Sequence, residues 1–147
     1  MNASVRATLL DVAARLDGVC RDDWWIIGSA AAWLHGARVA PRDVDVLVSV
    51  SDADGLRDTP GIAMRAGRAH PQFRSALFGC WPGSHLPVEI MGGFAIQEQG
   101  EWRPVHLATR HAVTLGDATL FVPEAGELRA LFLRFGRDKD RVRAALL

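Results

Sequence analysis

Two aspartates interrupt an otherwise apolar segment, and they constrain this chain more than any other feature. Asp43 and Asp45 stand in the run Asp-Val-Asp-Val-Leu-Val, within the segment from Trp24 to Val50. Alternate side chains of a strand share a face, so both carboxylates would project together while Val44 faces the buried side. They would lie about 7 Å apart at the backbone, within reach of one magnesium ion or of two ions about 4 Å apart. Paired like charges on an apolar strand favour a site for a hard cation.

The turn before this strand is the second informative feature. Trp24 to Ile27 is typical of a buried strand, and Ala30 to Leu34 of a compact helix that Gly36 can terminate. Gly28 and Ser29 lie between them. A glycine lets a ligand approach the backbone, and the start of a helix offers unpaired N–H groups to a phosphate. A serine can cap the helix or hold a phosphate oxygen, so the pair is a candidate phosphate-binding turn.

Both features also have a structural interpretation. A Gly-Ser pair is common at strand-to-helix turns that bind nothing. Asp43 and Asp45 could instead lie at a solvent-exposed strand end, paired with Arg38 and Arg42. Nearby arginine fits either interpretation.

The order and spacing of these residues resemble the nucleotidyltransferase superfamily with the DNA polymerase β-like fold, especially its small stand-alone bacterial members. Those proteins open with a helix and then carry hydrophobic-Gly-Ser or Gly-Gly, a short helix, a strand with Asp-x-Asp, and a third acidic residue on a later strand. Here that residue would be Glu89, in the apolar run from Leu86 to Met91, although the family more often has aspartate. Pro41 stands where many relatives have threonine.

The resemblance implies a metal-dependent enzyme that moves a nucleoside monophosphate from a nucleoside triphosphate, such as ATP, to an acceptor hydroxyl. Asp43, Asp45 and Glu89 would be the catalytic residues and would hold two Mg²⁺ ions, while Gly28 and Ser29 would bind the nucleotide. The acceptor could be a small molecule, an RNA or a protein. Small proteins of this type include antibiotic-modifying enzymes and toxins of toxin–antitoxin pairs, so a cognate antitoxin is a possible partner. The alternative is a degenerate member that binds a nucleotide or a partner protein without turnover.

The C-terminal part carries a weaker resemblance. Arg137-Asp138-Lys139-Asp140 matches the Arg-x-Lys-Asp of many such proteins, but Phe132 stands where relatives commonly have lysine. That departure favours the degenerate alternative. A charged terminal helix is more often a solvated face, but it also offers the best candidates for nucleic-acid contact: Arg129, Arg134, Arg137, Lys139, Arg141 and Arg143.

Composition limits the number of domains, the partners and the cellular location that we expect. The 147 residues are 49% hydrophobic, with 17 basic and 17 acidic side chains, which suits one domain spanning residues 1–147 and gives no general attraction to nucleic acid. Cys20 and Cys80 lack metal-ligand spacing, and no signal segment is evident, so we expect a cytoplasmic, reduced protein. No apolar run approaches the roughly 20 residues that cross a bilayer, so we expect no membrane contact. The five histidines have no paired zinc spacing.

The expected architecture is α+β (α/β), with a mixed β-sheet packed against helices as in nucleotidyltransferases. Helices are predicted near Ala3 to Leu16 and over Glu124 to Phe135. The other predicted elements are strands over Phe73 to Cys80 and Leu86 to Met91 joined at Pro82-Gly83, a polar loop over Glu98 to Arg103, and a hairpin of Ala112 to Leu115 with Thr119 to Val122. Trp81 and Trp102, in turns, are candidate walls of an exposed pocket.

Overall fold

The computed structural model describes residues 3–67, 69–82 and 84–147. Across these ranges the helices are α1 (Ala3–Val19), α2 (Gly28–Leu34), α3 (Val50–Gly55), α4 (Ala125–Phe135) and α5 (Asp138–Ala145), and a short 3₁₀ turn covers Leu56–Asp58. The strands are β1 (Trp25–Ile27), β2 (Val44–Val48), β3 (Ala63–Ala66), β4 (Phe73–Arg74), β5 (Leu77–Trp81), β6 (Val88–Gly92), β7 (Ala95–Glu98), β8 (Glu101–Pro104), β9 (His111–Leu115) and β10 (Ala118–Val122).

A five-stranded mixed sheet forms the centre of the fold, in the order β1-β2-β6-β5-β3. The β2–β6 pair is parallel, and the other neighbouring pairs are antiparallel. Val44 and Val46 on β2 are completely buried, as alternation along a half-buried strand predicts. The predicted fold class, α+β with a mixed sheet against helices, is therefore confirmed.

Helices cover this sheet with apolar stripes. The predicted stripe of α1 is buried, including Leu9, Val12 and Leu16, and α1 contacts β2 and β10. Helix α4 buries Leu128 and Leu131 and contacts both α2 and α5. This packing holds α2 and α5 near the same end of β2, where the acidic residues lie.

The strand predicted over Phe73 to Cys80 is in fact two strands in different sheets. Strand β5 pairs with β6, whereas β4 pairs with β7 in a second sheet of order β4-β7-β8. The chain passes from the second sheet to the first between β4 and β5, and it returns to the second sheet between β6 and β7. Gly93 lies in the second of these connections, and its φ of +68° makes the bend possible. A Cβ at Gly93 would lie 2.9 Å from Cγ2 of Val50, so a larger residue would require Val50 to move. Sequence alternation cannot reveal this bend, because both halves keep a strand pattern.

The polar loop predicted over Glu98 to Arg103 is also wrong, because the segment contains a hairpin. Glu98 pairs with Glu101, and Gln99 and Gly100 form the turn with φ of 53° and 81°. Two successive positive φ values are typical of the tight hairpin turn, usually Asn-Gly. Gln-Gly is a poor signal for that turn, so the polar composition misled the prediction.

The late hairpin is confirmed. Strands β9 and β10 pair in register, with Leu115 opposite Ala118, and β10 contacts β1. The late helix is confirmed to within one residue. The predicted Pro82-Gly83 turn includes a residue outside the described ranges. Within those ranges, no helix combines the length and apolar character required to cross a bilayer.

Candidate active site

The turn between β1 and α2 brings the backbone directly beside a carboxylate. Gly28, the first residue of α2, has a φ of +70°, a conformation that residues with a Cβ rarely adopt. Its neighbour Ile27 is opposite Asp45 in the β1–β2 ladder. A Cβ atom on Gly28 would lie 2.8 Å from Oδ2 of Asp45. Glycine is therefore required here if Asp45 is to keep its position.

Ser29 follows this turn and is 7% exposed. It faces a cavity that Asp43 and Asp45 also line. The N-cap position of α2 is occupied by Ile27, and no side chain caps the helix there. Of the two roles that the sequence suggests for Ser29, the structure does not support capping.

Parallel pairing of β2 with β6 brings three acidic residues together. Asp45 is opposite Glu89 in the ladder, and Asp43 lies two residues before Asp45, immediately before β2 begins at Val44. One carboxylate oxygen from each of the three side chains lies within 4.8 Å of the other two. That distance is inside the roughly 6 Å expected for carboxylates that share a pair of ions. The juxtaposition predicted from the sequence is therefore present.

Crowding of these carboxylates changes their proton affinity. Burial, together with the like charges of Asp43 and Glu89, raises the pKa of Asp45 from its usual 3.8 to about 8. Arg137 and Arg143 act in the opposite direction. A divalent cation bound by three carboxylates would offset the same repulsion. Oxygen donors of this kind, within reach of one another, fit a hard ion such as Mg²⁺.

The arginine-pairing interpretation of the aspartates receives no support from the geometry. Among the described residues, no ion pair joins Asp43 or Asp45 to Arg38 or Arg42. Arg42 does line the same cavity as the two aspartates, but without a direct ion pair to either. Repulsion within the acidic group is therefore not relieved by a salt bridge from the preceding loop.

A cavity of about 330 Å³, here called the basic cavity, opens beside Ser29 and the carboxylates. Its positive side chains come from the loop before β2 and from the C-terminal segment: Arg42, Arg137, Lys139 and Arg143. The cavity therefore combines acidic and basic groups within one volume. Such a combination can hold a phosphate chain together with the cations that accompany it.

Asp140 organises the C-terminal side of this cavity. Its side chain is completely buried, and its two oxygens accept hydrogen bonds from Nε and Nη2 of Arg137 at 2.6 and 3.0 Å. Oδ2 also accepts the backbone N–H of Arg137 at 3.2 Å, and Nη1 of Arg143 lies 3.9 Å from Oδ1. Asp140 thus fixes one arginine that lines the cavity and attracts a second. We call this arrangement of Asp140 with Arg137 and Arg143 the clamp. The Arg-x-Lys-Asp match was its sequence signal, but the match did not show which atoms meet.

A second cavity, about 230 Å³ and here called the aromatic cavity, adjoins Asp45 and Glu89. Asp45, Glu89 and Arg137 line both cavities. The aromatic cavity is otherwise formed by rings and by residues near the bend between the two sheets, among them His70, Phe73, Arg74, Phe78, Phe94 and Phe135. Sequence reasoning did not find it, because its rings come from segments far apart in the chain.

Other sequence-based site suggestions fare less well. Phe132 is completely buried in the core, so position 132 does not reach the site, and the cavity takes its amine from Lys139 instead. Trp81 is 6% exposed and carries Arg15 over its ring, so it is not an exposed pocket wall. Trp102 is half-buried beneath the guanidinium of Arg74.

The basic residues of the tail are largely engaged with acidic neighbours. Arg134 binds Glu98 at 2.8 Å, and Arg141 binds Asp138 at 2.8 Å. Arg137 binds Asp140. These pairs reduce the net positive charge that Arg134, Arg137 and Arg141 can offer to a nucleic acid, so contact with nucleic acid stays a prediction.

Comparisons with known proteins agree with this fold. No family model and no curated protein matches the sequence. The structure of a candidate nucleotidyltransferase from Thermotoga maritima is similar with a TM-score of 0.76 at 22% identity, over 90% of this chain and 84% of that one. An antigenic nucleotidyltransferase-like protein from Paracoccidioides brasiliensis is similar with a TM-score of 0.54 at 17% identity, over 95% of this chain and 72% of that one. The chain therefore has the nucleotidyltransferase fold.

Proposed function

We propose that this protein is a metal-dependent nucleotidyltransferase that moves a nucleoside monophosphate from a nucleoside triphosphate to an acceptor hydroxyl. One observation carries the proposal: the oxygens of Asp43, Asp45 and Glu89 lie within 4.8 Å of one another beside the Gly28-Ser29 turn. Like charges gathered in this way are costly unless cations bind them. The fold shared with the Thermotoga maritima protein is consistent with this activity.

Asp43, Asp45 and Glu89 would hold two Mg²⁺ ions. When bound, the ions would neutralise charge on the phosphates and lower the pKa of the acceptor hydroxyl. In the transfer itself, the acceptor oxygen bonds to the α-phosphorus, the bond from that phosphorus to the bridging oxygen of the β-phosphate breaks, the hydroxyl proton is lost to solvent, and pyrophosphate leaves.

The β- and γ-phosphates belong in the basic cavity. Ser29 can donate its hydroxyl to a phosphate oxygen there, and Gly28 keeps the backbone free of a Cβ at the same place. Lys139, Arg137 and Arg143 supply positive charge to the leaving pyrophosphate. These residues bind and orient the substrate, so catalysis would depend on position and charge.

Transfer of differently labelled triphosphates tests the proposal. Each nucleoside triphosphate, labelled on the α- or the γ-phosphate, is incubated with the protein, Mg²⁺ and a cell extract. Retention of α-label on an acceptor, with release of pyrophosphate, is the expected result. Transfer of γ-label would indicate a kinase-like reaction instead.

A nucleotide-binding protein without turnover is the second candidate. Glu89 favours it, because the additional methylene relative to aspartate changes how far the third carboxylate reaches. Saturable, magnesium-dependent binding of a triphosphate without pyrophosphate release would support this candidate and exclude the enzyme. Replacing Glu89 with Asp would then be expected to introduce turnover.

A further inference from the structure

Arg137 lines both cavities, and the clamp holds it along one edge. Its Nε and Nη2 atoms donate to Asp140 at 2.6 and 3.0 Å, and these two bonds do not use Nη1. Burial raises the pKa of Asp45 and the charge of Arg137 opposes that rise, so the guanidinium lies within electrostatic reach of the carboxylates. The orientation of its remaining N–H groups therefore decides whether Arg137 can bind a phosphate in the basic cavity.

A second contact reaches the same guanidinium from the second sheet. Cζ of Arg137 lies over the Phe73 ring, 5.0 Å from the ring centroid. A guanidinium is attracted to an aromatic face at such a distance by the ring quadrupole. Two hydrogen bonds to one carboxylate still allow the guanidinium to rock about the bonded edge, and a ring beside Cζ opposes that movement. Asp140 and Phe73 therefore restrain Arg137 in complementary ways.

Phe73 is itself held in place by the loop before β4 and by the end of α4. His70 stacks on its ring at 5.2 Å, and Nδ1 of His70 accepts the backbone N–H groups of Gln72 and Phe73 at 3.0 and 3.1 Å. The side-chain amide of Gln72 donates to the carbonyl oxygen of Phe135, whose ring meets Phe73 edge-on at 5.2 Å. The Arg137 side chain, in contrast, is 39% exposed. The ring is thus a fixed support for a long side chain at the surface.

We propose that Phe73 is a positioning residue, which acts from the second sheet to align Arg137 for the phosphates of the triphosphate. The inference rests on the proposed function, which assigns those phosphates to the basic cavity. Phe73 lines the aromatic cavity and not the basic one, so it would act through Arg137 without touching a phosphate. The second sheet would in this way contribute to a cavity that its strands do not line.

The first test measures triphosphate affinity without turnover. The α,β-methylene analogues of ATP, GTP, CTP and UTP are titrated calorimetrically into the whole protein with Mg²⁺, and the analogue that binds most tightly is used. Phe73→Leu should weaken its binding about fivefold, because the contact that aligns Arg137 is lost. Phe121→Leu is the matched control: Phe121 is also half-buried and carries a guanidinium, that of Arg110 at 3.4 Å, but it lines neither cavity. Equal weakening in the two variants would overturn the inference.

The second test asks whether Phe73 acts through Arg137. In an Arg137→Gln background, Phe73→Leu should cause no further loss of affinity, because the guanidinium that it positions is absent. The same loss in both backgrounds would mean that Phe73 acts on the nucleotide directly, and it would overturn the inference with the proposed function intact. Failure of the wild-type protein to bind any of the analogues would overturn both.

The third test separates the attraction of the ring from its bulk, and it remains decisive if Phe73→Leu does not fold. Incorporation of pentafluorophenylalanine at position 73 keeps a ring of similar shape, but the fluorine atoms withdraw the electron density that attracts the guanidinium. Affinity for the analogue should fall as in Phe73→Leu, while the midpoint of thermal unfolding stays close to that of the wild type. Wild-type affinity in this variant would show that Phe73 serves only to pack the ring cluster, and the inference would be overturned.

Discussion

The basic and aromatic cavities share three residues, yet they are built by different means. The basic cavity depends on Asp140, a completely buried carboxylate that aligns Arg137 through two side-chain hydrogen bonds. The aromatic cavity depends on ring packing around Phe73, where two connections of the chain pass from one sheet to the other. Polar contacts therefore determine one side of the site, and the path of the chain determines the other.

The two means of construction imply different responses to substitution. Directional hydrogen bonds fail when one atom is removed, because the remaining charge loses its partner. A ring cluster loses contact area more gradually. We therefore expect the largest effects in the acidic group of Asp43, Asp45 and Glu89, smaller effects in the polar clamp, and still smaller ones in the backbone turn and in the titration of a single carboxyl group.

The largest effect should follow removal of charge from one of the three clustered carboxylates. Asp43→Asn or Asp45→Asn should reduce transfer by at least about 10³-fold, because a metal ligand and its charge are lost. The midpoint of thermal unfolding in EDTA should stay level or rise, since like-charge repulsion is relieved. Steady-state pyrophosphate release and calorimetry measure the two quantities.

Added Mg²⁺ provides the control for this prediction. It should raise the unfolding midpoint of the wild-type protein and have less effect on Asp45→Asn, because a ligand stabilises only the state that binds it. A marked loss of stability in both aspartate variants would show that these residues are structural partners of other groups, and the metal-site proposal would fail.

The second effect concerns the clamp that shapes the basic cavity. Asp140→Asn should lower the free energy of unfolding by about 2 kcal/mol, because a buried acceptor of Arg137 loses its charge while Arg137 remains partly exposed. KM for the triphosphate should rise as Arg137 loses its orientation. Asp138→Asn is the matched control: its pair with Arg141 is fully exposed, so we expect less than about 0.5 kcal/mol. Equal losses in the two variants, measured by urea unfolding, would contradict the assigned role of Asp140.

Sequence reasoning found the acidic group and the glycine turn because their chemistry is local. Asp45 lies on β2 and Asp43 immediately precedes that strand, and their spacing of two residues is visible in the sequence. To predict that Glu89 joins the two aspartates, one must know that β6 is the neighbour of β2. That knowledge came from the family resemblance and not from the sequence pattern. The overall class, a mixed sheet with helices, followed from alternating element types.

The aromatic cavity could not be predicted, because its residues meet only through tertiary structure. Phe73 and Phe94 face each other after the chain bends at Gly93, and Phe135 arrives from the end of α4. Nothing in the local sequence of Phe73 distinguishes a ring at a site from a ring in the core. The clamp by Asp140 was similarly hidden, since an Arg-x-Lys-Asp motif does not specify burial.

The third effect concerns the backbone turn at Gly28, beside Asp45. Gly28→Ala should destabilise the protein by about 1–2 kcal/mol, because an L-residue is strained at a φ of +70°. The new methyl group would also meet Oδ2 of Asp45 at 2.8 Å and displace it. Gly36→Ala is a useful control, since Gly36 has a similarly positive φ of 89° but nothing within 4 Å of an added Cβ. Activity should therefore fall far more in Gly28→Ala than in Gly36→Ala at comparable stability, and equal activity in the two variants would contradict the close approach to Asp45.

The smallest effect is a gradual dependence of metal-free stability on pH. The pKa of Asp45 is raised from 3.8 to about 8 by burial and by the charges of Asp43 and Glu89. Between these pH values the folded state holds a proton that the unfolded state has released, so the free energy of unfolding should decrease as pH rises through this window. One proton limits the slope to at most about 1.4 kcal/mol per pH unit. Urea unfolding in EDTA at intervals from pH 5 to 8 measures the slope, and Asp45→Asn, which has no titrating carboxyl group, should show a flatter dependence. A steeper or unchanged dependence in Asp45→Asn would assign the titration to another group and would remove the electrostatic reason for expecting a cation at this site.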